Sequence, residues 1–241
     1  MAKEQVTVCL PPYDPRDVQD AISAAMAPYD YNREEVPDDP EWMGEWDYWQ
    51  IDGRGCELPV RAGYEDDPRI IRGTLTISGT PRVFPPGACD GGPRGLLDLG
   101  AAREPVAAEA ARTFREWHEF ASHYPPARPL SYFWEKHQAA PQALRGHRVH
   151  EDHDSQSVIK ALHRERPELR DRVSICAVDY VGDDLEAFVE RQAMDVLPTH
   201  ALLTLDGEWT YAGTLEGRRH FNTYLEQLPP EALVVRVLYH G

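Results

Sequence analysis

The chain has 241 residues, 41% of them hydrophobic and 10% aromatic, and a formal net charge of −16. This length and apolar content suit a folded globule with a sizeable core and exclude a disordered chain. The charge opposes phosphate backbones, so it argues against direct nucleic-acid binding and favours basic partners or cations.

Residues 5–10, QVTVCL, predict a strand that Pro11 and Pro12 end. A helix is expected from Asp14 and Pro15, with Asp14 as cap, Asp17 in the first turn and Val18, Ala21, Ile22, Ala25 and Met26 as its buried stripe. Residues 28–55 then crowd carboxylates among Tyr29, Tyr31, Trp42, Trp46, Tyr48 and Trp49. Pro37 and Pro40 discourage regular structure there, and a short strand is expected at 47–51. Residues 72–84 predict strand, turn, strand, and the glycine-rich stretch 86–102 predicts a long loop. No GxGxxG or GxxxxGK[ST] is present to cradle a phosphate.

From Pro105 the spacing of Val106, Ala110, Phe114, Trp117 and Ala121 predicts a helix. Further helices are expected over 131–138 and 155–166, the latter capped by Asp154 or Ser155 and stopped by Pro167. VSICAVDYV, residues 173–181, is so apolar that it predicts a central strand. Asp183, with Glu186 three residues on, opens a helix carrying Leu185, Phe188, Val189 and Val196. Residues 200–212 predict a hairpin with a type I′ turn at Asp206-Gly207. A helix near 218–228 and a final strand, ALVVRVLYH, complete the chain.

This order predicts an α+β fold. The expected architecture is a single compact domain over 1–241, with a mixed or largely antiparallel sheet and helices on one face. A helical section fills the middle, an acidic-aromatic segment (30–70) wraps over the sheet, and the first and last strands are neighbours. No apolar run approaches the ~20 residues that span a bilayer. MAKEQVTVCLPP lacks a basic stretch followed by a long apolar one, so a cytoplasmic location is expected. Cys9, Cys56, Cys89 and Cys176 form no CxxC pair and are expected as free thiols.

PYDYNRE, WDYWQIDGR and VDYVGDDLEAFVERQAMDVLPTHALLTLDGEWTYAG, followed by a short helix and a last strand, together resemble a family of actinobacterial and phage proteins of uncharacterised activity. The family pattern looks like YDxNRE, then WxWWQIGGRW, then a DYxG–helix–ALVxxDGxW hairpin. The resemblance implies a phage-related or actinobacterial context and no particular chemistry. Asp52 stands where the family's first glycine would be and Gly55 where its last tryptophan would be. TYAGTLEGRRHF replaces a glycine- and tryptophan-rich segment after Trp209.

Three constellations offer chemistry. In GHRVHEDHD, His147, His150, Glu151 and Asp154 share one face if the segment is helical, and imidazole with carboxylate suits a divalent transition metal. The competing reading is a solvated loop with Asp154 as a cap, and the HExxH spacing of metallohydrolases is absent. In the acidic-aromatic segment, Glu34, Glu35, Asp38 and Asp39 with Trp42, Trp46 and Trp49 form a candidate surface for a basic protein. Tryptophans that cover the domain's own core are the alternative. Arg54, beside these aromatics, either holds an anionic group or pairs with a nearby aspartate. Cys176 with Asp179 and His200 imitates a nucleophilic site, against the bland reading of a small buried hydrophobe.

Two functions follow. One is an accessory protein with no cofactor, binding a basic or nucleic-acid-binding protein through the acidic-aromatic surface. The other is a metal-dependent enzyme, such as a hydrolase, with His147, His150 and Asp154 as ligands.

Overall fold

The computed structural model describes residues 3–14, 16–34, 42, 44–76, 78–174 and 176–241. The fold is α+β with a mixed sheet. Within the 1–241 span that the sequence predicts as one domain, two compact units form: Met1–Glu104 with Met194–Gly241, and Pro105–Ala193.

The first unit holds β1 (Lys3–Leu10), α1 (Val18–Met26), β2 (Tyr48–Ile51), β3 (Leu58–Pro59), β4 (Ala88–Cys89) and β5 (Gly91–Pro93). The chain returns to it with β6 (Ala201–Leu203), β7 (Trp209–Tyr211), α9 (Leu215–Gln227) and β8 (Leu233–His240). The terminal strands do meet: β1 and β8 run antiparallel in register from Lys3↔His240 to Leu10↔Leu233. β6 joins β1 in parallel, and the sheet order is β2-β8-β1-β6-β7, with β5 also on β8.

The inner strands are apolar on both sides because both sides are covered. Val6, Val8, Val235 and Val237 pack with Val18, Ile22 and Met26 of α1. Cys9, Leu202 and Val234 pack with Phe221 and Leu225 of α9. Helices therefore lie on both faces, where one was expected. α1 begins at Val18, with Asp17 and not Asp14 at its cap position. Asp14 instead accepts the Arg16 backbone N–H at 2.9 Å.

Three local expectations change in this unit. Residues 86–102 contain β4, β5 and the start of α2 (Leu99–Ala121). Gly91 serves close strand approach here, since a Cβ would run into the Val234 carbonyl. Among the described residues of 72–84 the pairing is an isolated bridge, Leu75↔Pro81, closed by Thr76 N–H donating to Thr80 O at 2.8 Å and Arg82 N–H donating to Thr74 O at 3.0 Å. In the hairpin, Gly207 N–H donates to Thr204 O at 3.0 Å and Thr204 N–H to Glu208 O at 2.9 Å. With Gly207 at φ 79°, this is a longer loop ending in a left-handed glycine, not a two-residue I′ turn.

The second unit is helical. It contains most of α2, then α3 (Leu130–Lys136), α4 (Gln142–Asp154), α5 (Ser157–Glu165), α6 (Pro167–Val173), α7 (Ala177–Val181) and α8 (Leu185–Met194). Gln156, not Asp154 or Ser155, occupies the cap position of α5. The expected central strand at 173–181 is instead the end of α6, a short link and α7. Ala177 and Val181 of α7 are buried four apart on one helical face, and Val173 is buried at the end of α6. They pack with Trp117, Phe120, Ile159, Leu162 and Phe188. Asp184, not Asp183, caps α8 by accepting the Ala187 N–H at 3.1 Å. No helix among the described residues is long and apolar enough to cross a membrane.

Candidate acidic-aromatic site

The site is built where the chain leaves α1 and returns toward β2. Tyr31 N–H donates to Trp46 O at 2.8 Å and Glu45 N–H to Tyr29 O at 2.8 Å, so residues 29–31 and 45–46 lie side by side. Gly44 is required for this approach, because a Cβ there would run into Tyr31 Cα. Asp30 Oδ1 accepts the Asn32 N–H at 2.8 Å and fixes the turn. Asp47 N–H donates to His240 O at 2.9 Å, which ties the segment to the end of β8.

The tryptophans divide between two roles. Trp46 and Trp49 pack against the α1 core, and the Trp46 indole N–H donates to Met26 O at 2.9 Å. Both serve the unit's own packing first. Trp42 is half-buried with the Arg33 guanidinium 5.8 Å from its ring centre. The aromatics left to solvent are tyrosines: Tyr31 is 69% exposed, Tyr48 51% and Tyr211 49%.

Tyr31, Gly44, Glu45, Trp46, Asp47 and Gly241 line a cleft of about 280 Å³. Its two carboxylates are held from behind. The Tyr211 hydroxyl donates to Glu45 Oε2, and His240 Nδ1 lies 2.7 Å from Asp47 Oδ1. Burial, and then Glu45, push the Tyr211 hydroxyl up to about 12. Beside them, His200 Nδ1 is 2.7 Å from the Tyr239 hydroxyl. That hydroxyl is also pushed up, by burial first and then by Tyr211 and Glu45. His200, just before β6, with Tyr211 of β7 and Tyr239 and His240 of β8, thus lies beside the acidic segment.

Of the residues expected to bind, Glu34 is exposed, while Glu35, Asp38 and Asp39 lie outside the described residues. Arg54 takes the simpler alternative: its guanidinium pairs with Asp52 at 2.9 Å. The pair stands at a second cleft of about 420 Å³, lined in part by Lys3, Gln5 and Gly55. Behind it lies a buried knot. Asp90 accepts Gly53 N–H at 2.7 Å, Gly73 N–H at 2.6 Å and Arg82 Nη1 at 2.6 Å.

The metal expectation is not met by geometry. Residues 146–154 are indeed helical, but His147 and His150 are exposed, and Asp154 Oδ1 lies 2.9 Å from His153 Nδ1. Among the described residues, no group of three or more His, Cys, Asp or Glu is placed to hold a metal ion. The buried histidine of the segment is His153, whose Nε2 has no partner among the described residues. Helical spacing signals it: His153 and Val149 are four apart and both buried.

Cys176 does not have the setting of an activated nucleophile. Its thiol is pushed up by burial, then by Asp179 and Asp154, which opposes thiolate formation. Asp179 instead accepts the Leu130 N–H at 2.7 Å.

Comparison of the chain with protein families, curated proteins and solved structures finds no match.

Proposed function

We propose that this chain is an accessory protein that binds a basic protein through its acidic-aromatic surface. The supporting observation is that the exposed rings of Tyr31 and Tyr211 stand beside the Glu45 and Asp47 carboxylates on a chain of net charge −16. Complementary charge speeds encounter and selects the partner, while flat rings supply contact area at little entropic cost. The resemblance to phage-related proteins and the acidic surface favour one partner class, nucleic-acid-binding proteins whose basic face this surface would occupy in place of phosphates.

The test is capture of a purified basic DNA-binding protein from the same host by the whole chain. Reversing charge at Glu34, Glu45 and Asp47 is expected to abolish capture, as is reversal at Glu35, Asp38 and Asp39. Reversal at Glu231, outside the segment, is expected to leave capture intact. Capture that survives every reversal in the acidic segment would sink the reading.

A further inference from the structure

We propose that the cleft lined by Tyr31, Glu45, Trp46 and Asp47 receives a single arginine side chain of the partner. This inference rests on the acidic-aromatic reading and names the group that reading leaves open. The size of the cleft sets the scale. Its volume of about 280 Å³ lies below the roughly 300–1,000 Å³ of pockets for drug-sized ligands, which suits one side chain.

The chemistry of the walls selects a planar cation. Tyr211 engages only Oε2 of Glu45 and His240 only Oδ1 of Asp47. Oε1 and Oδ2 therefore have no protein donor among the described residues, while each carboxylate is already fixed in place. Two positioned carboxylates repel phosphates and other carboxylates. A guanidinium presents five donors in a rigid fork, stacks on aromatic faces and is weakly hydrated. An ammonium is a compact, strongly hydrated point charge that gains less from the same walls. The Trp46 indole N–H is used by Met26 O, so Trp46 contributes its ring and no donor that would compete with the cation.

The experiment is an NMR titration of the full chain with three blocked tripeptides, Gly-Arg-Gly, Gly-Lys-Gly and Gly-citrulline-Gly. The readout is the amide shifts of Gly44, Asp47 and Gly241. Saturable shifts with the arginine peptide are expected, with the lysine peptide about tenfold weaker and the citrulline peptide silent, as loss of charge-assisted bonds predicts. Asp47→Asn and Tyr31→Ala, the latter at an exposed ring, should each weaken arginine binding about tenfold with the amide spectrum otherwise folded.

Equal binding of arginine and lysine, or arginine binding unchanged in both variants, would overturn the inference. If the peptides fail while charge reversal still abolishes capture of the basic protein, the cleft is wrong and the acidic surface stands. If the arginine peptide binds as described but no basic protein is captured, the cleft stands and the macromolecular reading falls.

Discussion

Two guanidiniums lie inside the sheet unit, and their surroundings are opposite. The Arg82 side chain is 3% exposed and sits 2.6 Å from Asp90, 3.4 Å from Asp52 and 3.6 Å from Glu57. Arg236 is 1% exposed, yet its side-chain partners among the described residues are the Thr7 hydroxyl and the Leu197 carbonyl, both neutral. Its Nε has no partner among the described residues, and burial pushes its pKa down to about 10. The lesson is that burial alone does not make a charge structural. Arg82 belongs to a satisfied network that ties three loop segments together, whereas Arg236 is a charge that the surrounding packing tolerates.

The largest effect should come from breaking the satisfied network. Asp90→Ala removes the acceptor of Gly53 N–H, Gly73 N–H and Arg82 Nη1 at once. It leaves a buried guanidinium without its nearest carboxylate, which is expected to cost about 3–5 kcal/mol in urea unfolding. Hydrogen exchange should rise around Gly53 and Gly73, whose N–H groups lose their acceptor. A loss under ~1 kcal/mol would mean Asp52 and Glu57 take over, and the contrast with Arg236 would narrow.

Much of the sheet unit was legible because its signals are local and mutually consistent. β1, β8 and the α1 stripe follow from β-branched runs and from apolar residues at helical spacing. Residues 173–181 show where that reasoning ends. A short apolar run looks alike in a buried strand and a buried helix, and packing in the helical unit decides for the helix. The candidate site was half legible. Composition located the acidic-aromatic segment, but Tyr211, Tyr239 and His240 come from strands far along the chain, and His200 from the residue before one. Only the pairing of β2 with β8, β1 with β8 and β6, and β6 with β7 brings them to it. Composition also could not say which rings face the core, and Trp46 and Trp49 do.

A smaller effect sharpens the contrast at high pH. Burial pushes the Cys9 thiol from 9.0 up to about 12 and the Cys89 thiol from 9.0 up to about 11. The unfolded chain releases these protons near pH 9 while the folded chain keeps them. Their stabilising contribution is therefore complete below pH 9 and is lost as pH rises through about 11 and 12. Arg236 runs the other way. The folded chain loses its proton at about 10 and the unfolded chain only at higher pH, so stability is regained as pH rises above 10. Between pH 9 and 10 the thiols act without that opposition, and stability should fall there. Cys89→Ala should flatten the fall in urea midpoints measured across that interval. An unchanged slope would show that the Cys89 thiol is not as buried as it stands here.

The smallest expected change is also the most telling. Arg236→Met keeps an unbranched apolar chain as long as the Arg236 stem and removes the guanidinium, whose carbon lies 5.8 Å from the Phe221 ring centre. It removes a desolvated charge, and replacing buried charges by packed apolar groups is often neutral or stabilising. Against that gain stands the Leu197 carbonyl, which loses the Arg236 donor, at roughly 1–3 kcal/mol if nothing replaces it. Thr7 loses less, because its hydroxyl still lies 2.8 Å from that of Thr199. The two effects oppose each other, so the unfolding free energy should stay within about 1 kcal/mol of the parent. The recovery above pH 10 assigned to Arg236 should vanish in the same variant. A loss of about 3 kcal/mol or more would place Arg236 beside Arg82, as a charge on which the sheet depends.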